Sequence, residues 1–324
     1  MLSRRFLRIK TMQALYSYFK NEKPDMSVFE KELFKSIDQV YDLYLIIINI
    51  FAGIYQNELL IIDENKNKRL PSQEDLNPNR KLVSNTLLLA IYKSEELKTL
   101  IEKRKLGTFI DNNILRRIIT EIKKTEEFEA YVKIEAPTLK DDKHLLNEVI
   151  VKVLNENEVL ISMFEEKSIY WTDDLYVAYN LVLKNFELFD GKFRILPLLK
   201  DEKDDEEFVS LLFQKTILYR ETNIELIQKH VKNWELDRIA EMDMLLMQMC
   251  ITEFAYLPNV PVKASLNEYI DISKDYSTPN SKVFINGILD KIIFQLKDEN
   301  RIQKQGLSLI HISEPTRLRR ISYA

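Results

Sequence analysis

Residues 257–292 read LPNVPVKASLNEYIDISKDYSTPNSKVFINGILDKI. Pro261 cannot continue an upstream helix but suits the start of another. Leu266, Ile270 and Ile272 give that second helix an apolar side. Ser277–Asn280 has the composition of a turn, and Ser281 is placed to cap a last helix. Asn286-Gly287 would mark a hairpin between alternating segments, but here it lies inside a helical pattern. Gly287 is therefore expected to permit close backbone packing. Working outward, apolar residues recur at the same spacing of three and four: Met12, Leu15, Tyr16 and Phe19, then Phe29, Leu33, Ile37 and Val40. Ile224–His230 and Met242–Phe254 repeat it. Strand signals are nearly absent, and no repeat of fixed period is found. The chain is predicted to be all-α.

Composition narrows the chemistry. The sequence has 324 residues and only five glycines, from which neither a Gly-x-Gly-x-x-Gly loop nor a P-loop can be written. The single cysteine, Cys250, excludes internal disulfides and Cys-cluster zinc sites. His144, His230 and His311 lie far apart without ligand spacing, so no metal site is expected. The longest apolar run, residues 43–55, is 13 residues and is broken by Asn49, too short to span a bilayer. No secretory leader is evident, and a cytoplasmic protein is the expectation. The formal net charge is −4. Any surface that binds nucleic acid must therefore be locally basic.

Four zones follow along the chain. Residues 1–60 read as two long amphipathic helices. Residues 61–205 read as a further helical block. It opens on a polar loop at 63–80, breaks near Gly107, Pro137 and Gly191–Pro197, and ends in Lys200–Glu207 (KDEKDDEE), expected to be solvated. Residues 206–306 are again periodic helices. Residues 307–317 (LSLIHISEPTR) resemble the translation of a sequencing-library adapter, so 307–324 is expected to be a read-through scar. Its arginines are not taken as a nucleic-acid arm.

Arg4, Arg5, Arg8, Lys10 and Lys20 stand in residues 1–21 without one acidic residue. Ser3 could cap a helix beginning at Arg4, and Arg4 and Arg8 would then share a face. Anchored by the stripe from Met12 to Phe19, the first two turns would project a basic edge. A helix N-terminus favours phosphate, and arginine binds it with two parallel hydrogen bonds. The alternative is a solvated arginine-rich turn.

Together these segments resemble the NusB family of bacterial transcription antitermination factors. The carrying residues are Val260-Pro261-Val262-Lys263, Leu266-Asn267-Glu268, Ile272-Ser273-Lys274 and Phe284-Ile285-Asn286-Gly287-Ile288-Leu289-Asp290. Upstream Trp234, Arg238-Ile239, Asp243 and Glu253-Phe254 fit, as does Arg4-Arg5-x-x-Arg8 followed by Gln13-Ala14-Leu15-Tyr16. The chain departs from the family in being about twice as long, in Gln248 where arginine is frequent, and in Asn280 where an acidic residue is frequent. The extra length is assigned to 61–205, an insertion between two helical half-bundles.

The resemblance implies a non-enzymatic RNA-binding factor without a cofactor. It would pair with the ribosomal protein NusE and bind single-stranded boxA-type RNA in nascent ribosomal transcripts. It would act on the RNA polymerase elongation complex with other Nus factors. Carried onto this chain, Arg4, Arg5, Arg8 and Lys10 would contact RNA, with Tyr16 and Phe284 at matching aromatic positions. Tyr16 could equally belong to the core stripe. Asp237 and Asp243 match acidic positions that face NusE, the alternative being a solvated helix face. Asn267, Glu268, Asn286 and Gly287 read as structural.

Four phosphate contacts correspond to a salt slope near −3, since each contributes about −0.7. The arginines are expected to be removable with little loss of stability. Arg116, Arg117, Lys123 and Lys124 could extend the basic surface, although Ile118, Ile119 and Ile122 favour an ordinary amphipathic helix. A different class of function is a helical protein–protein scaffold with no RNA activity. An enzyme, such as a methyltransferase following a NusB-like domain, would need a glycine-rich cofactor loop and a catalytic cysteine motif. Neither can be written, and Cys250 reads as core.

Overall fold

The computed structural model describes residues 1–107, 109–231 and 239–302. Among them there are helices and no strand, so the chain is all-α as expected. Two compact units are distinguished. One comprises residues 1–3 and 31–201, the other 4–30 and 202–324. The expected divisions near 60 and 205 differ at the first point. Helix α2 runs without a break from Met26 to Lys66, so the chain passes from one unit to the other inside a helix, between Glu30 and Lys31.

In the unit made mainly of 31–201, the later part of α2 is the central element. Leu43, Leu45, Ile47, Ile48 and Phe51 are all fully buried. The helix as a whole is long and apolar enough to cross a membrane by length and composition, unlike the short run alone. Its apolar window is 61% buried, as in a core helix. The same unit holds α3 (Gln73–Leu76), α4 (Lys81–Ser84), α5 (Thr86–Tyr92), α6 (Glu95–Lys103), α7 (Asn112–Lys124), α8 (Glu126–Lys133) and α9 (Leu139–Val149). A π-turn at Ile150–Leu154, α10 (Glu158–Lys167) and α11 (Leu175–Leu188) follow. These starts are written locally. Asn85, Ser94, Asp111, Thr125 and Asn157 each accept a backbone N–H of the first turn. Ser72 with Asp75 and Thr138 with Asp141 form reciprocal capping boxes.

Two of the four basic residues on α7 are engaged within their own unit. Arg116 binds Glu64 with two hydrogen bonds of 2.8 and 2.6 Å, and Lys123 lies 2.8 Å from the buried carboxylate of Glu58. Leu115, Ile118, Ile119 and Ile122 are buried at amphipathic spacing, as expected.

The second unit holds α1 (Arg4–Lys20), the first turn of α2, α12 (Glu202–Leu218), α13 (Arg220–His230), α14 (Glu241–Tyr256), α15 (Val262–Tyr276) and α16 (Ser281–Asp298). Helix α14 is its centre: every residue from Leu245 to Phe254 is buried, Cys250 included. Helices α12, α13, α15 and α16 all pack on it, and so does α1. The acidic run at 200–207 is not a solvated linker throughout. Most of it forms the first turns of α12, and Asp205 is buried.

The expectation for Gly287 is corrected. A Cβ on Gly287 would meet no described atom within 4 Å, so this glycine permits no close approach; it lies exposed on α16. The close approach is at Gly53 on α2, where a Cβ would lie 2.7 Å from Leu115 Cδ1. Gly287→Ala is therefore expected to stabilise the protein by about 0.5–1 kcal/mol, because alanine restricts the unfolded chain and favours the helix. A denaturation midpoint that falls would show that the position requires glycine.

Ser281 does not cap α16 either. Asn280 precedes the helix, and Ser281 is its first residue.

Candidate nucleic-acid interface

Helix α1 forms where expected, beginning at Arg4, and its phase decides what each basic residue can touch. Met12 and Leu15 are buried. One turn back from Met12 on that inward face is Arg8, only 3% exposed. Its Nε donates to Glu253 Oε2 (2.9 Å) and its Nη2 to Oε1 (2.6 Å). Ser265 Oγ donates to Glu253 Oε1 (2.5 Å) and the Tyr269 hydroxyl to Oε2 (2.9 Å). The guanidinium also lies 5.1 Å from the Phe208 ring centroid. One buried carboxylate thus joins α1, α14 and α15.

Burial pushes the Glu253 pKa up, but the Arg8 hydrogen bonds and charge, with those of Ser265 and Tyr269, hold it below the ordinary value. Burial lowers the Arg8 pKa, but its bonds to Glu253 raise it overall. Burial, then the Glu253 charge, raises the Tyr269 pKa well above the usual range. This is a charge-assisted structural clamp. The expectation that Arg8 reaches RNA is corrected: its fork is inside the core.

Lys10 is buried as well, 4% exposed, with Nζ 5.5 Å from the Phe6 ring centroid. It is not part of an accessible edge. Asp243 is likewise buried rather than solvated or partner-facing. Its carboxylate accepts from Ser277 Oγ (2.5 Å) and Ser281 Oγ (2.8 Å), tying α14 to the turn between α15 and α16. Asp237, Trp234, Arg238 and the tail 307–324 lie outside the described residues.

What remains outward on α1 is a stripe of Arg5, Ile9, Gln13, Tyr16, Ser17 and Lys20, each exposed or half-buried. The spacing of three and four makes it one face. Tyr16, 39% exposed, belongs to this face and not to the core. Lys20 Nζ lies 5.7 Å from its ring centroid. Phe284 is half-buried on α16 of the same unit.

Each basic group meets a carboxylate from another helix. Arg5 Nε and Nη2 donate to the two oxygens of Glu268 (2.8 and 3.3 Å), and Nη2 also donates to Asp271 (2.8 Å). Those bonds, led by the one to Glu268, raise the Arg5 pKa. Lys20 donates to Glu241 at 2.6 Å, which raises its pKa. Arg4, half-buried over the Phe208 ring, pairs with Asp204 and with Asp205.

Arg4 and Arg8 do share a face, as their spacing implied, but the shared face is turned toward Phe208. The acidic partners were not anticipated. Glu253 could have been suspected, because a carboxylate at the end of the apolar run Met244–Phe254 needs a buried cation. Nothing comparable marks Glu268 or Asp271. Among the described residues no group of acidic, histidine or cysteine side chains is arranged to hold a metal ion.

A model described as the NusB family matches residues 175–294. Three similar proteins are each named Transcription antitermination protein NusB. That of Salinibacter ruber is 41% identical over 112 residues, 35% of this chain and 70% of its own length. That of Chloroherpeton thalassium is 45% identical over 86 residues, 26% of this chain and 41% of its own. That of Desulfatibacillum aliphaticivorans is 39% identical over 103 residues, 32% of this chain and 72% of its own. No solved structure matches significantly.

Proposed function

The chain belongs to the NusB family, and from that premise we propose that it binds boxA-type single-stranded RNA of nascent ribosomal transcripts together with the ribosomal protein NusE. Family membership supports a role in transcription antitermination. The complex would act on the elongating RNA polymerase with other Nus factors, in the cytoplasm, as a binding factor rather than an enzyme.

The observation that carries this reading is the outward stripe of α1. Arg5 and Lys20 lie about four helical turns apart on one face, with Tyr16 between them. Cations for phosphates and an aromatic face for a base are the two parts a sequence-tolerant single-strand site needs. The contact set is Arg5, Tyr16 and Lys20, with Arg4 at the edge and Phe284 on α16. Three phosphate contacts give a salt slope near −2, or roughly a 20-fold affinity loss from 50 to 200 mM salt. Such a surface alone binds weakly, which is consistent with a factor that needs a partner.

R5A/K20A is the direct test. Its RNA affinity should fall and its salt slope flatten by about 1.4. Thermal stability should barely move, because exposed ion pairs contribute little. A binding isotherm and slope identical to the parent protein would remove α1 from the interface.

A further inference from the structure

We propose that a pocket at the C-terminal end of α1, built on Arg220, seats one nucleotide of the strand that lies along α1, with a phosphate on the guanidinium fork and the base stacked on its plane. The inference rests on the RNA-binding reading of α1 and adds a site beyond Lys20. The pocket has a volume of about 330 Å³, and Tyr18, Phe19, Asn21, Leu218, Arg220 and Glu221 are among its walls. That volume is at the lower end of small-ligand sites. Every wall residue belongs to the unit that holds α1. Asn21 directly follows Lys20, the last basic residue of the outward stripe, so a strand leaving Lys20 arrives at the pocket.

Arg220 differs from the arginines of α1. Arg4, Arg5 and Arg8 are each held by carboxylates. Arg220 pairs with no described carboxylate, and its Nε, enclosed by protein, hydrogen-bonds to nothing. Its guanidinium instead lies over the Phe19 ring, 4.4 Å from the centroid. Tyr18 braces that platform, meeting Phe19, Phe29 and Phe213 edge to face at 5.6, 5.4 and 6.1 Å. A guanidinium supported on one face by an aromatic ring keeps its other face for a base and its edge for a phosphate. The remaining walls suit the rest of a nucleotide. Glu221 is exposed beside Arg220 and can accept from an exocyclic amino group of a base. The Asn21 side-chain oxygen accepts the Lys23 backbone N–H at 2.9 Å, which leaves the amide nitrogen to donate. Leu218, 67% exposed, is an apolar wall that a ribose or base would cover.

The test uses the full chain with R220A or R220K, and a labelled boxA-type RNA shortened one nucleotide at a time from each end. R220A should weaken binding of the longest RNA about 10-fold, the effect of losing one stacked base. Its salt slope should flatten by about 0.7, the share of one phosphate. R220K, which keeps the charge without the planar fork, should restore the slope and not the full affinity. At one end of the RNA, a single removal step should cost the parent protein that affinity and cost R220A nothing. A merely structural role for Arg220 would not single out one nucleotide.

If R220A binds the longest RNA with the parent's affinity and slope, while R5A/K20A weakens binding, the pocket is overturned and the α1 reading stands. If R220A loses affinity equally for RNAs of every length, Arg220 acts through the packing of α1 and the pocket is likewise overturned. If the parent protein binds none of these RNAs, both readings fall together.

Discussion

Arg8→Ala is expected to cost about 3–5 kcal/mol, because it leaves the Glu253 carboxylate buried without its cation. The Ser265 and Tyr269 hydroxyls also donate to that carboxylate, and a hydroxyl cannot supply a charge. For a unit of this size the melting temperature should drop by on the order of 10 °C. Glu253→Ala should cost about as much. The double variant should cost less than the two singles together, since the uncompensated charge is then gone.

The clamp also carries a pH signature. The folded-state pKa of Glu253 lies below its ordinary value, so its contribution is present above pH ~4.5 and lost as pH falls through the folded-state value. Acid titration of Arg8→Ala, followed by circular dichroism, should show a smaller loss of stability across that window than the parent. If Arg8→Ala were as stable as the parent and merely bound RNA less well, Arg8 would be the surface contact that its spacing first suggested.

Asp142→Ala should have the second largest effect, in the unit comprising residues 1–3 and 31–201. This buried carboxylate accepts from the Tyr131 hydroxyl (2.5 Å), the Thr86 backbone N–H (2.7 Å) and the Thr86 hydroxyl (2.5 Å). Burial and Asp142 together raise the Tyr131 pKa well above the usual tyrosine range. Beside them Asn85 caps α5 with its oxygen and donates its amide to the Asp142 carbonyl at 3.0 Å. The side chain thus fastens α5 and α8 to α9. Removing it strands three donors, each worth about 1–3 kcal/mol when bonded to a charge, for a net loss of about 3 kcal/mol. Hydrogen exchange should show α5, α8 and α9 losing protection. Unchanged exchange there would mean that water replaces the carboxylate at no cost.

The inward turn of Arg8 was legible in part. Extending the buried phase of Met12 back by one turn lands on Arg8, whereas the pairing of Arg4 with Arg8 says only that they share a face. Periodicity gives relative angle, and the apolar stripe must supply the direction. The all-helical fold was readable because helical spacing recurs from Met12 to Leu296 and strand alternation does not. The boundary inside α2 was not, since the apolar spacing of Phe29, Leu33, Ile37 and Val40 runs across it without a break. Gly287 misled because glycine within a helix signals closeness or mere tolerance with the same letter. Asp243 misled because an acidic residue on a helix looks solvated until the serines that bind it, 34 and 38 positions later, are folded against it.

The most direct measurement is a titration of labelled boxA-type RNA with the intact chain at 50 and 200 mM salt, with and without NusE from the same source. Binding that tightens with NusE and weakens roughly 20-fold across that salt range is the expected result. A folded protein that binds the RNA in neither case would contradict it and leave a helical scaffold without RNA activity of its own.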